Sequence, residues 1–184
     1  MAKLHPIGQN LIEAKSTSPN KRVDALAALA AMQFTLKLKP ATDKQITNAL
    51  TGALNDKFPK VRVQAILGLA ENYCGNENIL GTIAIALKKD AANIGPCDMT
   101  EIQGHICTGE AGVNVIGHIL TDTSFPAQAR SIAATTLGKA EGSDIPIAKK
   151  YLESGANDTE TSISVFSKLS LSKLNALTAE SVTE

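Results

Sequence analysis

Tryptophan is absent from this sequence, and aromatic residues make up only 3% of it. A core must therefore be built from Ala, Leu, Ile and Val, side chains that suit helices packed closely on one another. An excess of charge is missing too: 18 Lys plus Arg face 18 Asp plus Glu. Such a balance supplies no bulk attraction to nucleic acid or to an acidic membrane. The three cysteines, Cys74, Cys97 and Cys107, are odd in number and lack framework spacing, which fits reduced thiols rather than disulfides. Met1 to Asn10 has no apolar core of a secretory signal. The most apolar stretches, Val23 to Met32 and Ile79 to Leu87, are about half the length of a membrane span. A soluble cytoplasmic protein of 184 residues is expected, one domain or one short repeat array.

Alternating strand patterns bounded by hairpin turns are also missing. Helical periodicity is there instead. Ile46, Ala49, Leu50, Ala53 and Leu54 form one stripe, with Thr42 and Gln45 spaced as a capping box before it. Val115, Ile116, Ile119 and Leu120 form another, and Ile145, Ala148, Tyr151 and Leu152 a third, with Pro146 in its first turn. Thr100 and Gln103 offer a second capping box. Ile79 to Leu87 reads as a buried helix because of its alanines.

One pattern recurs. Pro19, Arg22, Ala25, Leu26 and Leu29 are matched by Pro59, Arg62, Ala65, Ile66 and Leu69, and again by Pro126, Arg130, Ala133, Ala134 and Leu137. From each arginine the apolar positions fall at +3, +4 and +7, one helix face. The arginines lie 40 and then 68 residues apart, and the second gap holds two units of 34. Asp56, Asp90, Asp122 and Asp158 close the units at intervals of 34, 32 and 36. Periods of this length with two helices each mark helical solenoids.

The run Asp56-Lys-Phe-Pro59-Lys-Val61-Arg62, followed by Ala65 and Leu69, resembles the HEAT repeat, above all the short bacterial variety named after the phycobilisome lyases. The resemblance covers residues 18–158 and is specific in the first, second and fourth units. The third unit, Ile94 to Asp122, lacks the arginine and the proline spacing. The resemblance implies an all-α, right-handed superhelical solenoid of about four HEAT-like helix pairs. It also implies a ladder of Asp56 with Arg62, and of Asp122 with Arg130, holding successive repeats in register. The whole chain is read as one solenoid domain, with residues 1–17 as an N-terminal cap (Leu4, Ile7, Leu11) and 159–184 as a C-terminal cap helix and tail. Ile163, Phe166, Leu169, Leu174 and Leu177 would form the packed face of that last helix, opened by an Asn157-x-x-Glu160 capping box. Ser170 and the final residues read as loosely held.

The third unit collects Cys97, His105, Cys107 and His118. Their spacing, C-x7-H-x-C-x10-H, matches no common zinc pattern, and His105 and Cys107 point apart on a helix. No metal is expected. Gly104, Gly109, Gly112 and Gly117 follow no strand and carry no phosphate-loop signature, so a turn at Gly109 and close packing at Gly112 and Gly117 are expected. Lys88-Lys89 and Lys149-Lys150 read as solvated cations near helix C-termini. Cys74 has no activating neighbour and His5 no signature, so no catalytic set emerges. HEAT-like hydroxylases carry His-Glu dipeptides, whereas His105 and His118 are each followed by Ile.

These readings converge on a non-catalytic scaffold or adaptor, without cofactor, that binds another protein. Neither nucleic acid nor membrane is expected as partner. Second helices starting at Thr42, Asn76, Gly109 and Ser143 would line a concave face, with Gln45, Asn48, Thr51, Thr82, Lys88, Asn114, His118 and Lys149 as candidate contacts. The resemblance leaves one alternative, a bilin lyase or chaperone subunit acting on phycobiliproteins with a second subunit.

Overall fold

Proline decides where many of the helices begin. A computed structural model describes residues 6–72 and 75–180, so Leu4, His5, Cys74 and residues 181–184 lie outside the described part. Pro19, Pro40, Pro59 and Pro96 each hold the first position of a helix, where the missing N–H has no intrahelical partner to lose. This preference overrides two of the expected capping boxes. The helix carrying Thr42 begins at Pro40, and the helix carrying Thr100 begins at Pro96. Thr100 Oγ1 instead donates to the Pro96 carbonyl at 2.8 Å. The third expected box also fails: the last helix starts at Thr161, and Asn157 donates to the Glu153 carbonyl at 3.0 Å. Asn76 does cap its helix, accepting from the N–H groups of Asn78 and Ile79.

Among the described residues the chain is helical, with no strand. It packs as two units, residues 1–93 and 94–184. The first contains α1 (Pro6–Glu13), α2 (Pro19–Thr35), α3 (Pro40–Ala53), α4 (Pro59–Glu71) and α5 (Glu77–Asp90), closed by a short 3-10 turn, Ala91–Asn93. In it α2 packs on α4, and α1, α3 and α5 cover that pair as a second layer. The second contains α6 (Pro96–Ile106), α7 (Gly109–Thr121), α8 (Ala127–Leu137), α9 (Ile145–Gly155) and α10 (Thr161–Glu180). There α8 lies between α6 and α10, and α7 packs directly on α9. The divergent third unit is thus a helix pair, α6 and α7, with the buried Met99 standing three residues after Pro96, where Arg22 and Arg62 follow Pro19 and Pro59.

The +3, +4, +7 positions make the core. Ala25, Leu26, Leu29, Ala65, Ile66, Leu69, Ala133, Ala134 and Leu137 are all buried. Each large aliphatic among them stabilises the fold by about 1.5–3 kcal/mol through apolar burial. Ile79 to Leu87 lies in α5 but is not buried throughout: Leu80, Ile83, Ala86 and Leu87 face inward while Ile85 is 74% exposed.

The last helix keeps Ile163 and Leu174 of its expected face inward but turns the other three residues out. Phe166, Leu169 and Leu177 are exposed, and the inward residues are Ile163, Ser167, Ser170 and Leu174. Glycines opposite cause this. A Cβ on Gly155 would fall 2.4 Å from Ser167 Oγ, and one on Gly138 would fall 2.5 Å from Ser170 Oγ. The backbones approach so closely that only a small side chain fits between them, so Ser170 is buried rather than loose.

Candidate functional site

A concavity of the first unit lies in its second layer. Both α1 and α3 rest on α2 but make few contacts with each other. Between them runs an open groove of about 930 Å³. Leu11, Ala14 and Lys15 contribute one side, and Gln45, Asn48, Ala49, Gly52 and Ala53 the other. Arg22 and Asp56 line it as well, and they hold its floor rigid.

That floor is a doubly bonded ion pair. Arg22 Nε donates to Asp56 Oδ2 at 2.7 Å and Nη2 donates to Oδ1 at 2.9 Å. Arg22 Nη1 donates to the carbonyls of Ser16 at 2.6 Å and Thr17 at 3.2 Å. The Phe58 N–H donates to Asp56 Oδ1 at 2.9 Å, and the Phe58 ring lies 5.5 Å from the guanidinium. Burial pushes the Asp56 carboxyl up, but the Arg22 hydrogen bonds and the Phe58 N–H outweigh it and hold the group below its ordinary 3.8. The pair is therefore spent on structure. It ties the turn after α3 to the first turn of α2.

The same device recurs. Arg62 donates to Asp90 through Nε at 2.8 Å and Nη2 at 2.5 Å, and through Nη1 to the Asp56 carbonyl at 2.8 Å. Asn93 adds a bond to Asp90 at 3.1 Å. Arg130 pairs with Asp158 and donates through Nε to the Leu120 carbonyl at 2.9 Å. Each arginine of a first helix thus ties the chain before its own helix to the acid that closes its helix pair. Asp122 accepts from the Ser124 N–H at 2.9 Å. Arg22 and Asp90, the partners that complete these bridges, were visible in the sequence as members of the repeat but not as the mates of Asp56 and Arg62.

Of the eight candidate contacts, five stand in the first unit and three in the second. Gln45 and Asn48 face the groove, and Thr51 is exposed on the same helix. The Thr82 hydroxyl donates to the Asn78 carbonyl at 3.0 Å, and Lys88 is exposed in the last turn of α5. In the second unit, Asn114 and His118 meet at Tyr151. The tyrosine hydroxyl donates to Asn114 Oδ1 at 3.0 Å, and the His118 ring packs edge-on at 5.6 Å between centroids. Gly117 makes room for this, since a Cβ there would lie 2.2 Å from the Tyr151 ring. Lys149 lies in the middle of α9, not at its end, and donates to Thr178 Oγ1 at 3.0 Å. The signal for the groove itself, Lys15 and Lys57 beside the short side chains of α1 and α3, carries no periodic signature and was missed.

The cysteines and histidines of the third unit stay apart in role. Cys97 is exposed, and His105 Nε2 lies 3.9 Å from Glu101 Oε1. Burial, with the Asp144 carboxylate adding to it, pushes the Cys107 thiol up to about 11. Among the described residues no three His, Cys, Asp or Glu side chains converge on a metal position. No helix among them is long and apolar enough to cross a membrane.

Fold and groove together define an all-helical repeat protein. No protein-family description matches the chain, and no curated protein matches it. Solved structures do. An engineered protein is 18% identical over 93% of this chain and 80% of its own, with a TM-score of 0.51. Human deoxyhypusine hydroxylase, in complex with glycerol, is 13% identical over 92% and 84%, at 0.39. A designed armadillo repeat protein is 13% identical over 91% and 99%, at 0.37. The first shares the fold; the other two, at their scores, add no argument to it.

Proposed function

We propose that this chain is a short-HEAT-type repeat protein that works in the cytoplasm as a non-catalytic scaffold, docking another protein in the α1/α3 groove. The observation that carries this reading is the groove itself, about 930 Å³ and open to solvent, over a floor locked by Arg22 and Asp56. A rigid floor lowers the ordering cost of binding. Alanine and glycine on the walls leave room for a partner's larger side chains, and the amides of Gln45 and Asn48 offer polar contacts beside them. The HEAT-type reading rests on the Asp56-to-Arg62 run and on the repeated arginine–aspartate bridges.

Groove filling tests the proposal. Gly52 lines the groove and a Cβ there meets nothing within 4 Å, so Gly52→Trp adds bulk to the groove wall with no overlap at its first side-chain atom. Affinity capture from native lysate is run with both proteins and read by mass spectrometry. A protein retained by the wild type and lost with Gly52→Trp is the expected result. Equal retention of every protein by both refutes the groove as the docking site. Bilin-dependent absorbance in a mixture with phycobiliprotein and a second subunit would replace the scaffold reading with the lyase one.

A further inference from the structure

We infer that the occupant of the α1/α3 groove is an acidic amphipathic helix of a partner protein, an inference that rests on the docking reading above. Three features of the groove select it.

The first is backbone accounting. An extended peptide carries a row of N–H and C=O groups that need partners when covered. The backbone that lines the groove offers almost none, which leaves only the side-chain amides of Gln45 and Asn48. The N–H groups of Ala14, Lys15 and Ser16 already donate to Asn10, Ile12 and Glu13. The carbonyls of Thr51, Gly52 and Ala53 already accept from Leu54, Asn55 and Asp56, and those of Ser16 and Thr17 accept from Arg22. A helix satisfies its own backbone and brings only side chains to the walls, the mode in which amphipathic helices dock in grooves.

The second is size. Two turns of α-helix about 10 Å across occupy roughly 850 Å³, and the open groove of about 930 Å³ has room for them. The apolar part of the wall is Leu11, Ala14, Ala49 and Ala53, mostly short side chains. The partner must supply the bulk, as one or two large apolar residues on its inward face. In the second unit the corresponding helices, α7 and α9, close on each other because Gly117 admits the Tyr151 ring. The first unit leaves the equivalent space to a guest.

The third is charge. The whole chain is balanced, yet the groove is lined by Lys15, Arg22 and Lys57 against Asp56 alone. Arg22 and Asp56 cancel through their double bond. Two exposed ammonium groups remain, Lys57 resting 5.1 Å from the Phe58 ring centroid. They attract carboxylates on the flanks of an inserted helix and repel a basic one.

The test uses two displayed libraries of amphipathic helices about three turns long. Their inward faces are randomised among apolar residues, and their outward faces carry glutamate in one library and lysine in the other. Both are selected against the full chain, and affinities are then measured by fluorescence anisotropy for wild type, Gly52→Trp and Lys15→Glu/Lys57→Glu. Circular dichroism and thermal melts confirm that the variants fold. Binders are expected from the glutamate library. They should weaken about tenfold or more with either variant, and weaken in about 0.5 M salt, where screening reaches within a few ångströms. Binders that come from the lysine library, or that lose affinity with Gly52→Trp but not with the double charge reversal, overturn the acidic assignment and leave the docking reading standing. Binders indifferent to Gly52→Trp, or none from either library, overturn the inference. The docking reading then stands or falls by the lysate experiment alone. Equal competition by single-stranded DNA would overturn the helix as occupant.

Discussion

Asp90 is a point at which a single change strands a charge in the first unit. Its side chain is 1% accessible and accepts two hydrogen bonds from Arg62 and one from Asn93. Asp90→Asn removes the charge and turns an amide N–H toward a guanidinium that has only donors. A half-buried arginine is left without its counter-charge. Breaking such a pair costs about 3–5 kcal/mol. The lower end applies here, because the Arg62 side chain keeps 13% of its exposure. In a protein of this size about 3 kcal/mol corresponds to a fall in Tm of roughly 6–12 °C. Differential scanning calorimetry at neutral pH reads it directly, and hydrogen exchange should place the loss in α4 and α5. Replacing both partners, as Arg62→Met with Asp90→Leu, should recover most of the stability, since neither charge is then stranded. The pH dependence follows from the same pair. The Arg62 hydrogen bonds hold the Asp90 carboxyl below its ordinary 3.8 against the opposing effect of burial. A lowered folded pKa contributes stability that is fully present above the unfolded value and is lost as pH falls through the folded one. The gap between wild type and Asp90→Asn should therefore be widest above about pH 5 and shrink as the medium is acidified below pH 4. A neutral-pH Tm within about 2 °C of wild type, or a double variant no better than the single one, would refute this account.

Three further predictions concern packing and reactivity. Gly117→Ala should lower stability by about 1–3 kcal/mol, because its methyl would overlap the Tyr151 ring, whereas Gly104→Ala, with nothing within 4 Å, should raise it by about 0.4–1 kcal/mol; chemical denaturation compares the two. Gly112→Ala should be worse than either, since its Cβ would lie 1.9 Å from the Ile106 carbonyl oxygen, a backbone atom, and loss of the soluble folded protein is the expected outcome. Iodoacetamide at mildly alkaline pH should label the exposed Cys97 well before Cys107, whose thiol is half-buried and pushed up to about 11; equal labelling in peptide mass spectra would contradict that difference.

The sequence by itself determined the helical repeat. An arginine with apolar residues at +3, +4 and +7 can bury them together only on a helix, and recurrence at a fixed period requires that the helices stack. The breaks between helices were legible for the same reason, although proline at the first helical position moved the starts of α3 and α6 ahead of the expected capping threonines. What the tertiary structure alone decided is set by distance between segments far apart in the chain. Arg22 takes Asp56, 34 residues on, and Arg62 takes Asp90, 28 residues on, because those turns come within hydrogen-bond reach. The burial of Ser167 and Ser170 on α10 depends on Gly155 and Gly138 in segments packed against it, which no periodicity within α10 can reveal. The groove is the clearest case. It exists because α1 and α3 both lie on α2 without closing on each other, and a gap between elements leaves no mark in the residues of either one.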